Sequence, residues 1–248
     1  MIEPYADCRI IHMQATAIPP EEVLAAIGGE SSGAALQSVL QSIEEANVAI
    51  SAGLATPMLI STVSRITAIT RDSISLAGGF DISCSGPLLQ GATHLAIGIG
   101  TIGPNLEHRV QEVFASGDPL AAVVLDTMGT ILLRRMTGEF RAVCARRAEA
   151  ERLQVDIGPR LAPGCHAIPI ESQAVLFSLL DARRIGVTLS SSFMMSPLKS
   201  VSVMFPMGPT LPERLRAYSM CDVCVHREKC ETISRRTQAA CPPGQALA

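Results

Sequence analysis

The run His94-Leu-Ala-Ile-Gly-Ile-Gly-Thr-Ile-Gly103 limits the possible folds more than any other part of the chain. It is an apolar strand ending in glycines, and Pro104 to Ala115 continues at once with a helical pattern. Gly98, Gly100 and Gly103 spell G-x-G-x-x-G, the dinucleotide fingerprint, but no alternating series of strands and helices surrounds them. The spacing therefore reads as a tight strand-to-helix turn, with amides exposed towards a pocket.

The neighbouring segments extend this pattern. Pro19-Pro20-Glu21-Glu22 opens a short helix that ends near Gly28-Gly29, since proline suits a first turn and glutamate its positive dipole end. Ser31 to Ser51 reads as a longer helix. Between Pro57 and Ser75 the β-branched residues Ile60, Thr62, Val63, Ile66, Thr67, Ile69 and Thr70 predict paired strands, with a turn at Gly78-Gly79. Asp118-Pro119 then caps a long helix to about Ala145, and Leu120, Val124, Met128, Ile131 and Met136 form its core stripe.

Composition narrows the function. Hydrophobic residues make up 48% of the 248 and charged residues 17%, which argues against disorder, while the apolar stretches are too short and broken for a membrane span. The N-terminus is acidic where a secretory signal is basic, so a cytoplasmic protein is expected. A net charge of -3, no Trp and two Tyr leave few platforms for stacking bases, and nucleic-acid binding is not expected. Arg134, Arg135, Arg141, Arg146, Arg147 and Arg152 are interleaved with Glu139, Glu149 and Glu151. They read as a solvated helix face with intrahelical pairs, or as a docking surface for an acidic partner.

Two segments resemble the walls of a small-molecule pocket: Arg160-Leu-Ala-Pro-Gly-Cys165, and Ser190-Ser-Ser-Phe-Met-Met-Ser-Pro197 followed by Ser200-Val-Ser202. An arginine beside a Pro-Gly turn offers a fixed cation and backbone amides at one point, which suits a carboxylate-bearing ligand. The serines add hydroxyls.

With Asp126-Thr-Met-Gly129 on the long helix, the Arg-x-x-Pro-Gly turn and the Met-Met-x-Pro-x-Lys-Ser-Val-Ser segment, the chain resembles the activation domain of cobalamin-dependent methionine synthase. More closely it looks like stand-alone relatives of that domain with a cysteine-containing C-terminus. The resemblance spans roughly residues 35 to 230. It implies an α+β fold with a twisted antiparallel sheet over residues 1–206, the first thirty or so forming a helical extension, and a cysteine-rich tail over 207–248. It also implies a groove for S-adenosylmethionine and a role in reactivating a corrinoid by reductive methylation. Carried onto this sequence, Arg160, Ala162, Pro163, Gly164 and Cys165 match the ligand loop, Ser192, Ser200 and Ser202 match the second segment, and Asp126, Glu107 and Glu139 are candidates to face the sulfonium. Cys165 stands where the family often has Tyr, Ser191 where it often has Glu, and Arg134 where relatives tend to carry an acid. No Asp-x-His-x-x-Gly cobalt-ligating motif is present, so cobalamin is expected to arrive on a corrinoid-binding protein or methyltransferase, with a separate electron donor protein.

The tail adds Cys221-x-x-Cys224-x5-Cys230 and Cys241, four of the eight cysteines. A C-x-x-C turn lets two thiolates share one ion, so this spacing points to a metal site, with His226 as an alternate ligand. Zinc would make the tail a structural clip and an iron–sulfur cluster would make it an electron relay. Cys8, Cys84 and Cys144 are scattered and read as inert. The alternative to reactivation is therefore a non-catalytic electron-transfer or structural metal-binding subunit of a corrinoid methyltransferase system.

Overall fold

The computed structural model describes residues 8–28, 33–84, 89–150, 152, 154–165 and 168–213. In chain order these form β1 (Arg9–His12), α1 (Pro20–Ile27), α2 (Ala34–Ala49), β2 (Met58–Ile69), β3 (Ser73–Leu76), β4 (Phe80–Ser83) and β5 (His94–Thr101). There follow α3 (Asn105–Ala115), α4 (Pro119–Ala150), β6 (Asp156–Ile157), α5 (Gln173–Leu179), β7 (Thr188–Leu189), β8 (Met195–Ser196) and β9 (Ser200–Gly208). The fold is α+β: a seven-stranded antiparallel sheet in the order β4-β3-β2-β5-β9-β6, with β1 beside the first half of β2, and a separate β7–β8 hairpin.

β5 is the spine of that sheet. Every residue after His94 is buried, because β2 and β9 flank it and both of its faces are covered. Leu95, Ile97 and Ile99 point to a core shared with Leu176 and Leu180, whereas Ala96, on the opposite pleat, packs with Met136 and Phe140 of α4. Gly98 and Gly100 share the face of Ala96, and their lack of a side chain lets α4 come close. A Cβ on Gly98 would stand 2.9 Å from the Phe140 ring, and one on Gly100 would stand 2.6 Å from Met136 Cε. The glycine pattern of this strand is thus a packing device, and its first two glycines lie within an antiparallel ladder.

At about 1.5 Å per residue, the 32-residue α4 is roughly 48 Å long. The Asp118 carboxylate caps it by accepting the Ala121 amide at 2.9 Å. Val124, Met128, Ile131 and Met136 are buried as the stripe predicts, while Leu120 is 38% exposed. The N-terminal half packs with Ile43 of α2 and Leu106 of α3, and the C-terminal half lies on the sheet through Phe140, Cys144 and Ala148.

Three expectations are revised. The first thirty residues are not only a helical extension, since Arg9–His12 pairs with Met58–Ser61 as a sheet strand; four residues are too short to show a period. Two of the α4 arginines pair outside their helix. Arg134 and Arg135 reach Glu22 of α1 at 2.7 and 2.5 Å, and Arg135 also donates to Thr16 Oγ1 and the Ala17 carbonyl, both at 3.1 Å. Finally, β9 runs two residues past the boundary expected at 206, and Leu211 beyond it is fully buried.

Candidate functional site

The Arg160 segment is held along the open edge of β9. Gly158 donates to the Pro206 carbonyl at 2.8 Å, and Leu161 exchanges two 2.8 Å backbone bonds with Met204. This pairing sends the Leu161 side chain into the core and leaves its neighbours Arg160 and Ala162 on the opposite side, half-buried. Burial pushes the Arg160 pKa down from its ordinary value, with the nearby Cys165 opposing that shift, and the guanidinium stays charged at neutral pH.

The chain then reverses. Cys165 donates to the Ala162 carbonyl at 3.1 Å, closing a turn with Pro163 second and Gly164 third, where Gly164 has φ +81°. Proline sets the first bend and glycine tolerates the left-handed second one, which is why the Pro-Gly pair stands here. The Gly164 amide donates to Ile168 and the Ile168 amide to Cys165, at 2.9 and 3.0 Å. The amides of Gly164 and Cys165 thus close the loop itself, whereas the sequence suggested that they would be open to a ligand.

The second segment forms a turn at the tip of the β7–β8 hairpin. Ser190 and Ser192 hydroxyls bond at 2.9 Å, Ser190 Oγ accepts the Met194 amide at 3.0 Å, and Phe193 sits at φ +60°. Ser192 is exposed, Ser200 is half-buried with no hydrogen-bond partner for its hydroxyl among the described residues, and Ser202 is buried on the face of β9 that carries Met204. Gln173, at the start of α5, joins the two segments: its Nε2 donates to the Phe193 carbonyl at 3.0 Å. Ile170, three residues earlier, lies 3.1 Å from where a Cβ of Gly164 would stand. The sequence offered no sign of Gln173 beyond one amide ahead of an apolar run.

Asp126 is engaged elsewhere. Its Oδ1 pairs with Lys199 Nζ at 2.8 Å, and the same ammonium donates to the Asp126 carbonyl and to Thr130 Oγ1 at 3.1 and 3.0 Å. Glu107 accepts the Leu198 amide at 2.7 Å. Both carboxylates therefore anchor the start of β9 to α3 and α4. Met204, opposite Leu161, is five residues beyond Lys199, about 17 Å at some 3.4 Å per residue. Asp126 thus meets the strand at its start through Lys199, whereas Arg160 lies beside its middle. Glu139 is exposed on α4.

Among the described residues no group of three or more His, Cys, Asp or Glu side chains could hold a metal, and no helix is long and apolar enough to cross a membrane. Cys221, Cys224, Cys230, Cys241 and His226 lie outside the described residues. Burial pushes the Cys84 and Cys144 thiols up to about 11, which fits inert core thiols. Two surface grooves occur away from the Arg160 turn: one of about 570 Å³ between α1 and α2 at Ile43, Asn47 and Val48, and one of about 470 Å³ beside Phe177, Asp181 and Thr188.

Comparison with known proteins yields a fold and nothing finer. No protein-family model matches the chain, and no curated protein matches it. Among solved structures it is similar to the MetH reactivation domain bound to AdoHcy, with a TM-score of 0.62 and 14% identity, over 97% of this chain and 92% of that one.

Proposed function

We propose that this protein binds S-adenosylmethionine at the Arg160 turn and serves a corrinoid methyltransferase as a separate reactivation component. The observation that carries this reading is the fold: nearly all of the chain superposes on nearly all of a reactivation domain whose structure holds AdoHcy, the demethylated form of that ligand. The local chemistry supports it. Arg160 supplies a half-buried cation at the sheet edge, and a guanidinium pairs bidentately with a carboxylate such as that of the methionyl group. The Pro163-Gly164 bend fixes the backbone beside it.

S-adenosylmethionine supplies a transferable methyl cation, and a corrinoid reduced by one electron on its own protein accepts it, leaving AdoHcy here. The role of this chain is to hold the donor by Arg160 and the bend while the partner presents its metal. Asp126 is engaged by Lys199 and Glu107 by the Leu198 amide, so we assign the sulfonium charge to backbone carbonyls or to the partner. The spacing of Cys221, Cys224 and Cys230, with Cys241, supports a second role for the tail: an iron–sulfur relay for the incoming electron, or a zinc clip.

Calorimetric titration of anaerobically purified protein with S-adenosylmethionine tests the proposal. We expect micromolar or tighter binding that Arg160→Ala weakens roughly ten- to hundredfold, the loss of one charge-assisted pair. Unchanged affinity in that variant would remove Arg160 from the site, and no binding by the wild-type protein would refute the function.

A further inference from the structure

The side-chain amide of Gln173 makes a single hydrogen bond among the described residues although it is buried. The residue is 4% exposed, its Nε2 donates to the Phe193 carbonyl at 3.0 Å, and its Oε1 is buried with no hydrogen-bond partner among the described residues. A buried acceptor without a donor costs about 1–3 kcal/mol, and native folds rarely tolerate one without use. The bond to Phe193 fixes which end of the amide is oxygen, because the reverse orientation would set two acceptors against each other.

The amide also stands between the two segments that frame the proposed site. Ile170, on the 3-10 turn that leads into α5, touches the Gly164 bend, and Gln173 grips the serine turn at Phe193. That turn is closed on itself, with Ser190 donating to Met194 at 2.9 Å, Phe193 donating to Ser190 at 3.0 Å, and Ser190 Oγ accepting Met194. An outward movement of this turn would uncover Oε1. An amide has a second N–H on Nε2, so the uncovered group presents one acceptor beside one donor. That pair complements the amino-and-ring-nitrogen edge of adenine, as in bidentate Gln–adenine pairing. The Gly164 and Cys165 amides, already bonded within their loop, leave this role unfilled.

We propose that Gln173 reads the base of the bound nucleoside, its Oε1 accepting the exocyclic amino group of adenine once the Ser190–Met194 turn moves aside. This rests on the nucleoside-binding function proposed above. The test compares affinities for S-adenosylmethionine and its hypoxanthine counterpart, in which an oxygen replaces the amino group, using the full-length protein. Wild type should prefer the adenine form by about tenfold or more. Gln173→Met, of similar shape but without polar atoms, should bring that ratio to within about twofold. Gln173→Glu, which keeps an acceptor for the amino group but loses both N–H groups, should retain an adenine preference, smaller than that of the wild type but clearly above that of Gln173→Met. An unchanged ratio in Gln173→Met overturns the inference, and so does equal loss in both variants, which would assign Gln173 to positioning the turn alone. Binding of neither compound by wild type overturns the proposed function as well.

Discussion

Gly98 and Gly100 carry the same sequence signature but face different neighbours, so alanine should not cost the same at each. The added methyl of Gly98→Ala meets the Phe140 ring at 2.9 Å, a rigid group wedged against Phe205, whereas that of Gly100→Ala meets the flexible end of Met136. Chemical denaturation should show Gly98→Ala destabilising by about 1–3 kcal/mol, the usual range for overpacking, and Gly100→Ala by less. Glu22 gives a pH signature. Burial alone would raise its carboxyl, but hydrogen bonds from Arg135 and Arg134 outweigh this and leave the pKa below the ordinary 4.5. A depressed folded value means that the stability is present above the unfolded pKa and is lost as pH falls through the folded one. Glu22→Gln should therefore lower stability near neutral pH by about 1 kcal/mol, a modest amount because the pair is partly solvated, and the difference should shrink as the pH falls below 4.5 and vanish once it is below the folded value.

At the level of elements, the start of β9 is tied to α4 by Lys199, whose side chain is 13% exposed and spans Asp126 and Thr130. If this tie is structural, Asp126→Asn should leave S-adenosylmethionine affinity within about twofold while lowering the melting temperature by a few degrees, as a loss near 1 kcal/mol implies. A large loss of affinity in calorimetry would return Asp126 to the ligand. The Arg-x-x-Pro-Gly segment was legible as a turn because proline and glycine have narrow backbone roles. Its hydrogen bonding was not, because the partners Met204 and Pro206 come from β9, whose place beside the segment depends on the sheet. Gln173 was invisible for a related reason: one amide beside an apolar run has no period or motif, and its meaning arises only where Phe193 meets it.

For the molecule as a whole, the tail and the folded body should be separable. Replacing Cys221 and Cys224 by Ser should strip iron or zinc, as measured by metal analysis, without changing the unfolding transition of the body or its S-adenosylmethionine affinity; simultaneous loss of both would place the tail in the pocket. The helices α1 to α4 and the strands β2 and β5 follow from local rules: proline and acidic residues at helix starts, glycine at ends, β-branched runs and an apolar spine. Those rules act within a few residues, so the sequence alone determined them, together with the Pro-Gly bend and the cysteine spacing. Which residues share a site is a long-range matter. Asp126 met Lys199 rather than Arg160, Arg134 and Arg135 of α4 met Glu22 on α1, and Gln173 met Phe193, because side chains distant in sequence find partners only after the sheet order and the path of α4 are set.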